Sequence, residues 1–373
     1  MTTYPWGGSE ELWSRAALRL REDSHEVAAS VEFWPHLSTH ITGLADRGIH
    51  LWVRSGVPPR LPVRVWRRMM RRGSKDQEWL RRQNPDLVIV SQGGISDGLP
   101  WMKFCLKAGL PFIAVVQSNS EYWWLGDLGA ELTDAYRAAR KVFCVCRHNL
   151  ELLERQMGEP LPNGVVVWNP YNVSRNHPPA WPPKSDLWKL ACVARLEPAA
   201  KGQDLLFDVL ARPQWRNRPV EVNLYGAGPS EQSLTQLAQR LGLNNVYFRG
   251  HVADVKAIWE ENQILVLPSR LEGLPLALVE AMFCGRPAVV TDVGGNTELC
   301  VDGETGFVAA APAVSVLEQT LERAWNHSHD WQGMGIAARV RAERLIPNDP
   351  IGDFCSEVLK CASPGSSDRR STG

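Results

Sequence analysis

Short apolar runs alternate with amphipathic stretches along the whole chain, and a proline-rich segment interrupts this alternation once. In the first half, the runs expected to form strands are residues 25–31, 49–53, 86–91, 112–117, 142–146 and 165–169. In the second half they are residues 188–193, 220–225, 246–249, 263–268, 288–291 and 306–308. Strands that alternate with helices favour parallel sheets covered by helices. The sequence therefore predicts an α/β fold.

The interruption at residues 174–186 contains two proline pairs, which neither a helix nor a central strand tolerates. It predicts a linker between residues 1–173 and 187–348, each forming a doubly wound, Rossmann-like domain. Two such domains face a central cleft at the carboxyl ends of their sheets, where ligands bind. A helix is expected over residues 349–362, and the polar residues 363–373 are expected to be a disordered tail.

The start of the first domain departs from the doubly wound pattern. In such a domain a glycine-rich turn follows the first, central strand. Here only Met1 to Tyr4 precede the sequence Pro5-Trp6-Gly7-Gly8. Two explanations stay open: the natural start lies upstream of Met1, or the first sheet lacks most of its middle strand.

Composition narrows the class of protein. Lys+Arg 41 and Asp+Glu 41 give a net charge of zero, which argues against a dedicated nucleic-acid binder. No run of about eighteen uncharged apolar residues occurs, so we expect a cytoplasmic protein without a membrane span. Eight cysteines lie mostly in apolar runs, which indicates reduced, buried thiols. Only Cys144 and Cys146 are close together, and we predict no metal site.

The most informative segment for chemistry is residues 268–287. An apolar strand ends at Pro268, a glycine loop follows, and Pro275 suits the first turn of a helix. Amide groups at that helix start, near Gly273 and Leu274, predict an anion site suited to phosphate.

Two carboxylates and two cations extend this hypothesis. Glu272 suits the hydroxyls of a sugar ring and Glu280 those of a ribose, although either could simply complement a helix dipole or face solvent. Arg195 and Lys201 bracket a turn after the strand at 188–193, where both could converge on a diphosphate. Two surface cations on a loop are the alternative.

Several motifs occur in one order and carry a family resemblance. They are Arg195 with Lys201, Gly226-Ala227-Gly228-Pro229, Arg249-Gly250-His251-Val252, Glu272 with Glu280, Gly294-Gly295-Asn296-Thr297-Glu298 and Asp302-Gly303-Glu304-Thr305-Gly306. This set resembles the second domain of the retaining glycosyltransferases of family 4, which have the GT-B fold. The first half resembles the family more loosely, through Gly7-Gly8, His25-Glu26-Val27, Pro85-Asp86-Leu87-Val88 and Asn169-Pro170.

The resemblance implies a role for each matching residue. Arg195 and Lys201 correspond to the pair that binds the donor diphosphate, Glu272 to the carboxylate at the donor sugar, and Glu280 to the ribose ligand. The base is implied to meet the edge formed by Arg249, His251 and Val252. Gly7 and Gly8 are implied to approach the diphosphate from the first domain.

One position departs from the family. Where many members place a histidine at the donor sugar, this chain has Gln117-Ser118-Asn119-Ser120. Gln117 or Asn119 could hydrogen-bond a sugar hydroxyl, but neither takes up a proton near neutral pH. The departure puts the identity of the sugar in doubt.

The resemblance implies transfer of a sugar from a UDP- or GDP-sugar, with retention of configuration, to a cell-surface glycan or lipid-linked acceptor. In such a reaction the protein positions the substrates and stabilises charge. No resident cofactor is expected, and the absence of an Asp-x-Asp motif agrees with independence of metal. Residues 60–82, with nine basic and two acidic side chains, could contact an anionic membrane or form a solvated helix or loop.

Three other hypotheses stay open. The sequence Gly94-Ile95-Ser96-Asp97-Gly98 fits a nucleophile elbow, which would make Ser96 the nucleophile of a hydrolase. A non-catalytic protein that binds nucleotide-sugars is the second. Trp123 and Trp124 could stack on an acceptor sugar, although burial in the core is the usual place for tryptophan.

Overall fold

The computed structural model describes residues 6–34, 38–54 and 73–363. The strands of the N-terminal half are β1 (Ala28–Val31), β2 (His50–Val53), β3 (Val88–Gln92), β4 (Phe112–Val116), β5 (Val142–Cys144) and β6 (Gly164–Val166). Its helices are α1 (Gly8–Glu22), α2 (Thr39–Asp46), α3 (Gly73–Gln83), α4 (Leu99–Ala108), α5 (Gly129–Ala138) and α6 (Arg147–Met157), with a 3₁₀ turn at Gly126–Leu128.

The C-terminal half repeats the alternation. Its strands are β7 (Trp188–Val193), β8 (Val220–Tyr225), β9 (Val246–Gly250), β10 (Ile264–Leu267), β11 (Ala288–Thr291) and β12 (Gly306–Ala309). Its helices are α7 (Pro198–Lys201), α8 (Gln203–Leu210), α9 (Pro213–Arg216), α10 (Glu231–Leu241), α11 (Val255–Glu261), α12 (Leu276–Phe283), α13 (Asn296–Leu299), α14 (Val314–Asn326), α15 (Trp331–Leu345) and α16 (Pro350–Ala362), with a 3₁₀ turn at Ser328–Asp330.

The strands form three parallel sheets within the described residues. The largest sheet has the order β12-β11-β10-β7-β8-β9, so β7 is central and the strand order reverses beside it. The N-terminal half contains a four-stranded sheet, β3-β4-β5-β6, and a separate pair, β1-β2. Every strand pair is parallel, which confirms the predicted α/β fold.

The central strands are apolar on both faces because helices cover both sides of each sheet. All five residues of β4 are buried, as are all four of β10 and of β11. One apolar core crosses between the halves, since it contains Phe143 of β5 and Val145 directly after β5 together with Leu274 before α12 and Leu278 within it. The carboxyl ends of β4, β5 and β10 are therefore held close together.

The last helix returns to the N-terminal half. In α16, Phe354 packs edge-on against Phe143, with ring centroids 5.2 Å apart, and Glu357 pairs with Lys141. The Sγ of Cys355 lies 3.8 Å from the Ala16 carbonyl oxygen of α1. These contacts place α16 against the N-terminal half, while the domain limits stay a prediction.

The expectations about cysteines, membrane spans and the basic segment concern residues that the structure describes only in part. All eight cysteines are buried, as predicted. None of the helices in the described ranges combines the length and the hydropathy needed to cross a bilayer. Trp79 of α3 is buried against Trp52, with ring centroids 5.7 Å apart, so this tryptophan is not available to a membrane surface. Residues 60–72 and the tail from 364 onward lie outside the described residues.

Candidate active site

Two loops at the carboxyl edge of the C-terminal sheet are joined by close backbone contact. Gly202 follows α7 with φ +64°, and a Cβ at this position would lie 1.9 Å from the carbonyl oxygen of Pro268. The amides of Arg270 and Leu271 both donate to the Ala200 carbonyl, at 2.8 and 3.0 Å. The turn after β7 and the loop after β10 are thus one unit, which brings Lys201 to Glu272.

Lys201 and Glu272 form the centre of this unit. The Lys201 Nζ lies 2.8 Å from the Glu272 Oε1, and the Ser269 hydroxyl donates to the same oxygen at 2.7 Å. The Glu272 carboxylate is buried, whereas the ammonium is partly exposed to the cleft. Two residues 71 positions apart, assigned to the diphosphate and the sugar by the resemblance, are therefore direct neighbours.

Arg195 faces the start of α1 in the other half of the molecule. A Cβ at Gly7 would lie 3.0 Å from the Arg195 Nη2 and 3.4 Å from the Glu10 Oε2. Arg195 Nη1 also lies 3.3 Å from the Glu197 Oε2. Burial raises the pKa of Glu10, and the bond from Ser9 and the charge of Arg195 oppose that shift. A guanidinium and a helix N-terminus thus meet across the cleft, an arrangement that attracts anions.

Gly273 lies in close backbone contact with the N-terminal half. A Cβ at Gly273 would lie 1.9 Å from the carbonyl oxygen of Gln117, and one at Gly294 would lie 2.4 Å from the carbonyl oxygen of Glu272. The Gly295 amide donates to the Gly273 carbonyl at 2.8 Å. No side chain fits at Gly273 without moving backbone, so the phosphate loop predicted there lies directly against the end of β4.

Glu280 is buried on α12 and is bound by the chain that precedes the linker. Its Oε1 accepts hydrogen bonds from the backbone amide and from the Nδ2 of Asn172, each at 3.0 Å. Burial raises the pKa of Glu280 to about 7, which the bonds from Asn172 and the charge of Arg15 only partly offset. Glu280 is therefore neither solvated nor a simple dipole partner at a helix start.

Gln117 and Asn119 differ in which of their side-chain atoms already form hydrogen bonds. Gln117 Oε1 accepts from the Nδ2 of Asn169 at 2.9 Å, but its Nε2 is buried and has no partner among the described residues. Asn119 donates to Gln156 Oε1 at 2.8 Å and accepts from the Ser120 amide at 2.7 Å. Of these two side-chain amides, Gln117 is the one whose nitrogen has no hydrogen-bond partner among the described residues.

Arg249, His251 and Val252, which the resemblance assigns to the nucleotide base, lie in three different environments. The Arg249 guanidinium donates to Asn223 Oδ1 at 2.6 Å and lies 3.2 Å from Glu221 Oε1. Both partners precede the carboxyl end of β8, so this side chain leans back along the sheet, away from the cleft edge. His251 is exposed, and Val252 packs on the core shared by the two halves. The structure thus does not bring the guanidinium of Arg249 to the other site residues.

Two carboxylates at the cleft were not among the predicted site residues. They are Glu10, described above, and Glu298 of α13. Glu298 accepts hydrogen bonds from the backbone amides of Arg147 and His148, at 3.1 and 2.8 Å. These amides open α6, whose N-cap residue, Cys146, supplies no side-chain hydrogen bond. A carboxylate of the C-terminal half therefore caps a helix of the N-terminal half. In the sequence, the cysteine at the N-cap position, which is not a capping residue type, was the one sign that a distant group caps this helix.

Of the alternative sites, the hydrolase and the metal site gain no support from the described residues, whereas stacking by the two tryptophans stays open. Ser96 forms no hydrogen bond to a histidine there, and Asp97 instead accepts the amide of Gly94 at 2.9 Å. Burial raises the pKa of Cys144 to about 12, which disfavours the thiolate that a metal requires. Trp123 packs over Gly94, and Trp124 is exposed.

The fold and cleft define a two-domain α/β protein of the GT-B type, and comparison with known sequences identifies the family. Residues 6–175 match the family described as "Glycosyltransferase Family 4", and residues 188–327 match "Glycosyl transferases group 1". The chain belongs to this family of GT-B glycosyltransferases, as its motifs suggested.

Curated relatives match part of the chain. A D-inositol 3-phosphate glycosyltransferase of Gordonia bronchialis is 32% identical over 166 residues, covering 41% of this chain and 36% of that protein. A GDP-mannose-dependent alpha-(1-6)-phosphatidylinositol monomannoside mannosyltransferase of Mycolicibacterium smegmatis is 29% identical over 160 residues, covering 40% and 42%. The match thus spans less than half the length of each relative.

Solved structures match nearly the whole fold. HepE of Anabaena in complex with UDP-glucose superposes with a TM-score of 0.73 at 21% identity, over 95% of this chain and 96% of that one. The lipopolysaccharide outer core galactosyltransferase WaaB gives a TM-score of 0.68 at 20% identity, over 95% and 96%. At these identities the likeness concerns the fold.

Proposed function

We propose that this protein is a retaining glycosyltransferase that transfers a sugar from a UDP- or GDP-sugar bound in the cleft to a cell-surface glycan or lipid-linked acceptor. The observation that carries the proposal is the approach of Arg195 to Gly7, since a cation of one half meets a helix N-terminus of the other. A diphosphate carries the charge that both groups attract. UDP-glucose is bound by HepE and GDP-mannose is named for the mycobacterial relative, so both bases stay candidates.

In the proposed reaction the bond between the sugar C1 and the diphosphate oxygen breaks while the acceptor oxygen attacks C1 from the same face. The acceptor proton passes to an oxygen of the departing diphosphate. Arg195 and Lys201 stabilise the negative charge that develops on this leaving group, a role that a metal ion fills in other sites. We therefore propose that transfer is independent of metal.

Lys201 has a second role in this scheme, through its pair with Glu272. Without donor, the ammonium neutralises the buried carboxylate at 2.8 Å. A bound diphosphate offers Lys201 a second anion, and Glu272 can then accept hydrogen bonds from sugar hydroxyls while Ser269 remains its donor. The pair thus holds both groups in position before the donor arrives.

The sugar and the acceptor are assigned to the N-terminal side of the cleft. The Nε2 of Gln117, which has no partner within the described part of the chain, can donate to a hydroxyl or carboxylate oxygen of the donor sugar. The loop after β4 exposes Tyr122, Trp123 and Trp124, whose rings suit stacking on an acceptor sugar. We place the protein in the cytoplasm, where nucleotide-sugars are used. Peripheral contact with an anionic membrane through residues 60–82 remains part of the proposal.

The test is a screen of UDP- and GDP-sugars for transfer to simple glycoside acceptors, with and without excess chelator. NMR of the product reports the anomeric configuration. The proposal predicts a product with the donor's configuration and an unchanged rate in chelator. A product of inverted configuration contradicts the retaining mechanism, and complete loss of rate in chelator contradicts independence of metal. Donor binding without transfer or donor hydrolysis would favour a non-catalytic protein that binds nucleotide-sugars.

A further inference from the structure

Glu280 is a buried carboxylate in a helix whose neighbouring side chains are apolar. Every residue from Leu278 to Phe283 in α12 is buried, and Glu280 itself is 4% exposed. Removal of a carboxylate from water is costly unless hydrogen bonds or an opposite charge offset it. An apolar side chain would fill this position at lower cost, so the carboxylate indicates a task other than stability.

The two oxygens of Glu280 have different surroundings. Its Oε1 accepts both hydrogen bonds from Asn172, one from the backbone amide and one from the Nδ2, each at 3.0 Å. Its Oε2 accepts no hydrogen bond from the residues that the structure describes. Two donors on one oxygen restrict rotation of the carboxylate and leave the second oxygen to accept from a ligand.

Arg15 of α1 determines which way the Asn172 amide is turned. The Arg15 Nη2 donates to the Asn172 Oδ1. Because a guanidinium has donors only, the Oδ1 must face Arg15 and the Nδ2 must face Glu280. Arg15 is held in turn by Glu11, whose Oε2 lies 2.8 Å from its Nε and 2.7 Å from its Nη2. An asparagine at position 172 therefore matches a donor on one side and an acceptor on the other.

The chain that follows Asn172 is anchored on the C-terminal half. The Arg175 Nη1 donates to the Ile346 carbonyl after α15 at 2.7 Å. Further along the linker, the Ala180 carbonyl accepts from the Arg286 Nη2 at 2.6 Å. Asn172 is thus attached to the half that contains Glu280, whereas Arg15 belongs to the other half.

Helix α1 therefore contacts the C-terminal half at two functional positions. At its start, a Cβ at Gly7 would lie 3.0 Å from the Arg195 Nη2. About two turns further along the same helix, Arg15 binds Asn172. The placement of one helix thus governs both the proposed diphosphate site and the orientation of the carboxylate on α12.

We propose that Asn172 is a positioning residue for the nucleoside part of the donor: held by Arg15, it orients Glu280 so that its Oε2 accepts hydrogen bonds from the ribose hydroxyls. A carboxylate oxygen is a strong acceptor for such hydroxyl groups. The charged groups that face Glu280 are Glu11 and Arg15, which are paired with each other. This role rests on the proposed function, since it requires a nucleotide in the cleft.

The experiment is calorimetric titration of UDP, GDP and their 2′-deoxy forms into the parent chain, Asn172→Ala and Arg15→Met. We expect the parent to bind the preferred ribonucleotide about tenfold more tightly than its deoxy form. Both variants should lose most of this preference, while affinity for the deoxy form stays within about twofold. Asn176→Ala, at an exposed position of the adjoining linker, is the control and should keep the preference of the parent.

The outcomes separate positioning from mere support of the fold. Equal weakening of both nucleotides in Asn172→Ala would assign the residue a structural role and overturn the inference. No preference for the ribonucleotide in the parent would also overturn it and leave the proposed sugar transfer standing. Absence of binding by all four nucleotides would contradict the proposed function and this inference together.

Asn172→Asp keeps the test decisive if the alanine variant does not fold. Aspartate has the shape of asparagine and still accepts from Arg15, but it lacks the Nδ2 donor. It also places a second carboxylate at the position of that nitrogen, 3.0 Å from the Glu280 Oε1, so the two carboxylates repel. The ribose preference should be lost in this variant as well, and a folded Asn172→Asp protein with the preference of the parent would overturn the inference.

Discussion

The Nζ of Lys201 lies 2.8 Å from the Oε1 of Glu272, although the two residues are 71 positions apart in the chain. This pair joins the turn after β7 to the loop after β10 at the carboxyl edge of the C-terminal sheet. Because Glu272 is buried and Lys201 is partly exposed, the ammonium both stabilises the fold and faces the cleft.

Lys201→Met should separate these two roles. Loss of the cation leaves the Glu272 carboxylate buried and unpaired, so we expect a loss of stability of about 2 kcal/mol. The double variant Lys201→Met/Glu272→Gln should regain most of that stability but not transfer activity, which should stay reduced by about 100-fold or more. Urea unfolding and initial rates on the two single variants and the double variant measure both effects; recovery of activity in the double variant would contradict the assigned role.

Glu280 should make stability depend on pH. Its pKa is about 7 in the folded protein, above the usual value of 4.5, so folding favours the protonated form. The stabilising contribution is present in full below pH 4.5 and is lost as pH rises through 7, an effect of about 3 kcal/mol.

Glu280→Gln removes this titration while keeping an oxygen for Asn172. The variant should match the parent near pH 4.5 and exceed it in stability at pH 8, as urea unfolding at the two pH values would show. An equal difference between the two proteins at both pH values would mean that Glu280 does not titrate in this range.

Gly273→Ala should disturb the contact between the halves. Its Cβ would lie 1.9 Å from the Gln117 carbonyl oxygen, so backbone must move, and we expect a loss of about 2 kcal/mol or more together with weaker donor binding. Gly333→Ala is the matched control, because a Cβ at this helical position meets nothing within 4 Å. Thermal unfolding and donor titration of both variants check this; an unperturbed Gly273→Ala protein would argue against the tight contact.

Glu298→Gln should weaken the cap on α6. The carboxylate accepts two amides of that helix, at 2.8 and 3.1 Å, and its charge favours a helix N-terminus, so we expect a loss of about 1 kcal/mol. Glu304→Gln, at an exposed position of the same half, is the control and should leave stability unchanged. The two free energies of unfolding in urea make the comparison, and equal values for the two variants would remove Glu298 from this role.

The sequence predicted the strands best where the local run of apolar residues determines their ends. β7, β8 and β11 begin and end where the predicted apolar runs do. β5 and β6 are shorter than their apolar runs, since those runs continue past the last paired residue. The contact between Lys201 and Glu272 likewise follows from strands that end at one edge of a parallel sheet.

The features that local pattern does not determine were missed. Asn172 reaches Glu280 across 108 positions, and Glu298 reaches the start of α6 across about 150. Such contacts depend on how the two halves pack, which no spacing encodes. The hydrogen bonds of the Arg249 guanidinium to Asn223 and Glu221 were not foreseen either, and its contact with the nucleotide base stays a prediction.

The central claim is that Arg195 binds a donor diphosphate opposite the start of α1. Calorimetric titration of UDP and GDP into the parent chain, Arg195→Ala and the exposed control Arg240→Ala tests it most directly. We expect Arg195→Ala to weaken binding of the preferred diphosphate at least tenfold, with Arg240→Ala unchanged. Equal affinity of the parent and Arg195→Ala, with both folded, would contradict the account.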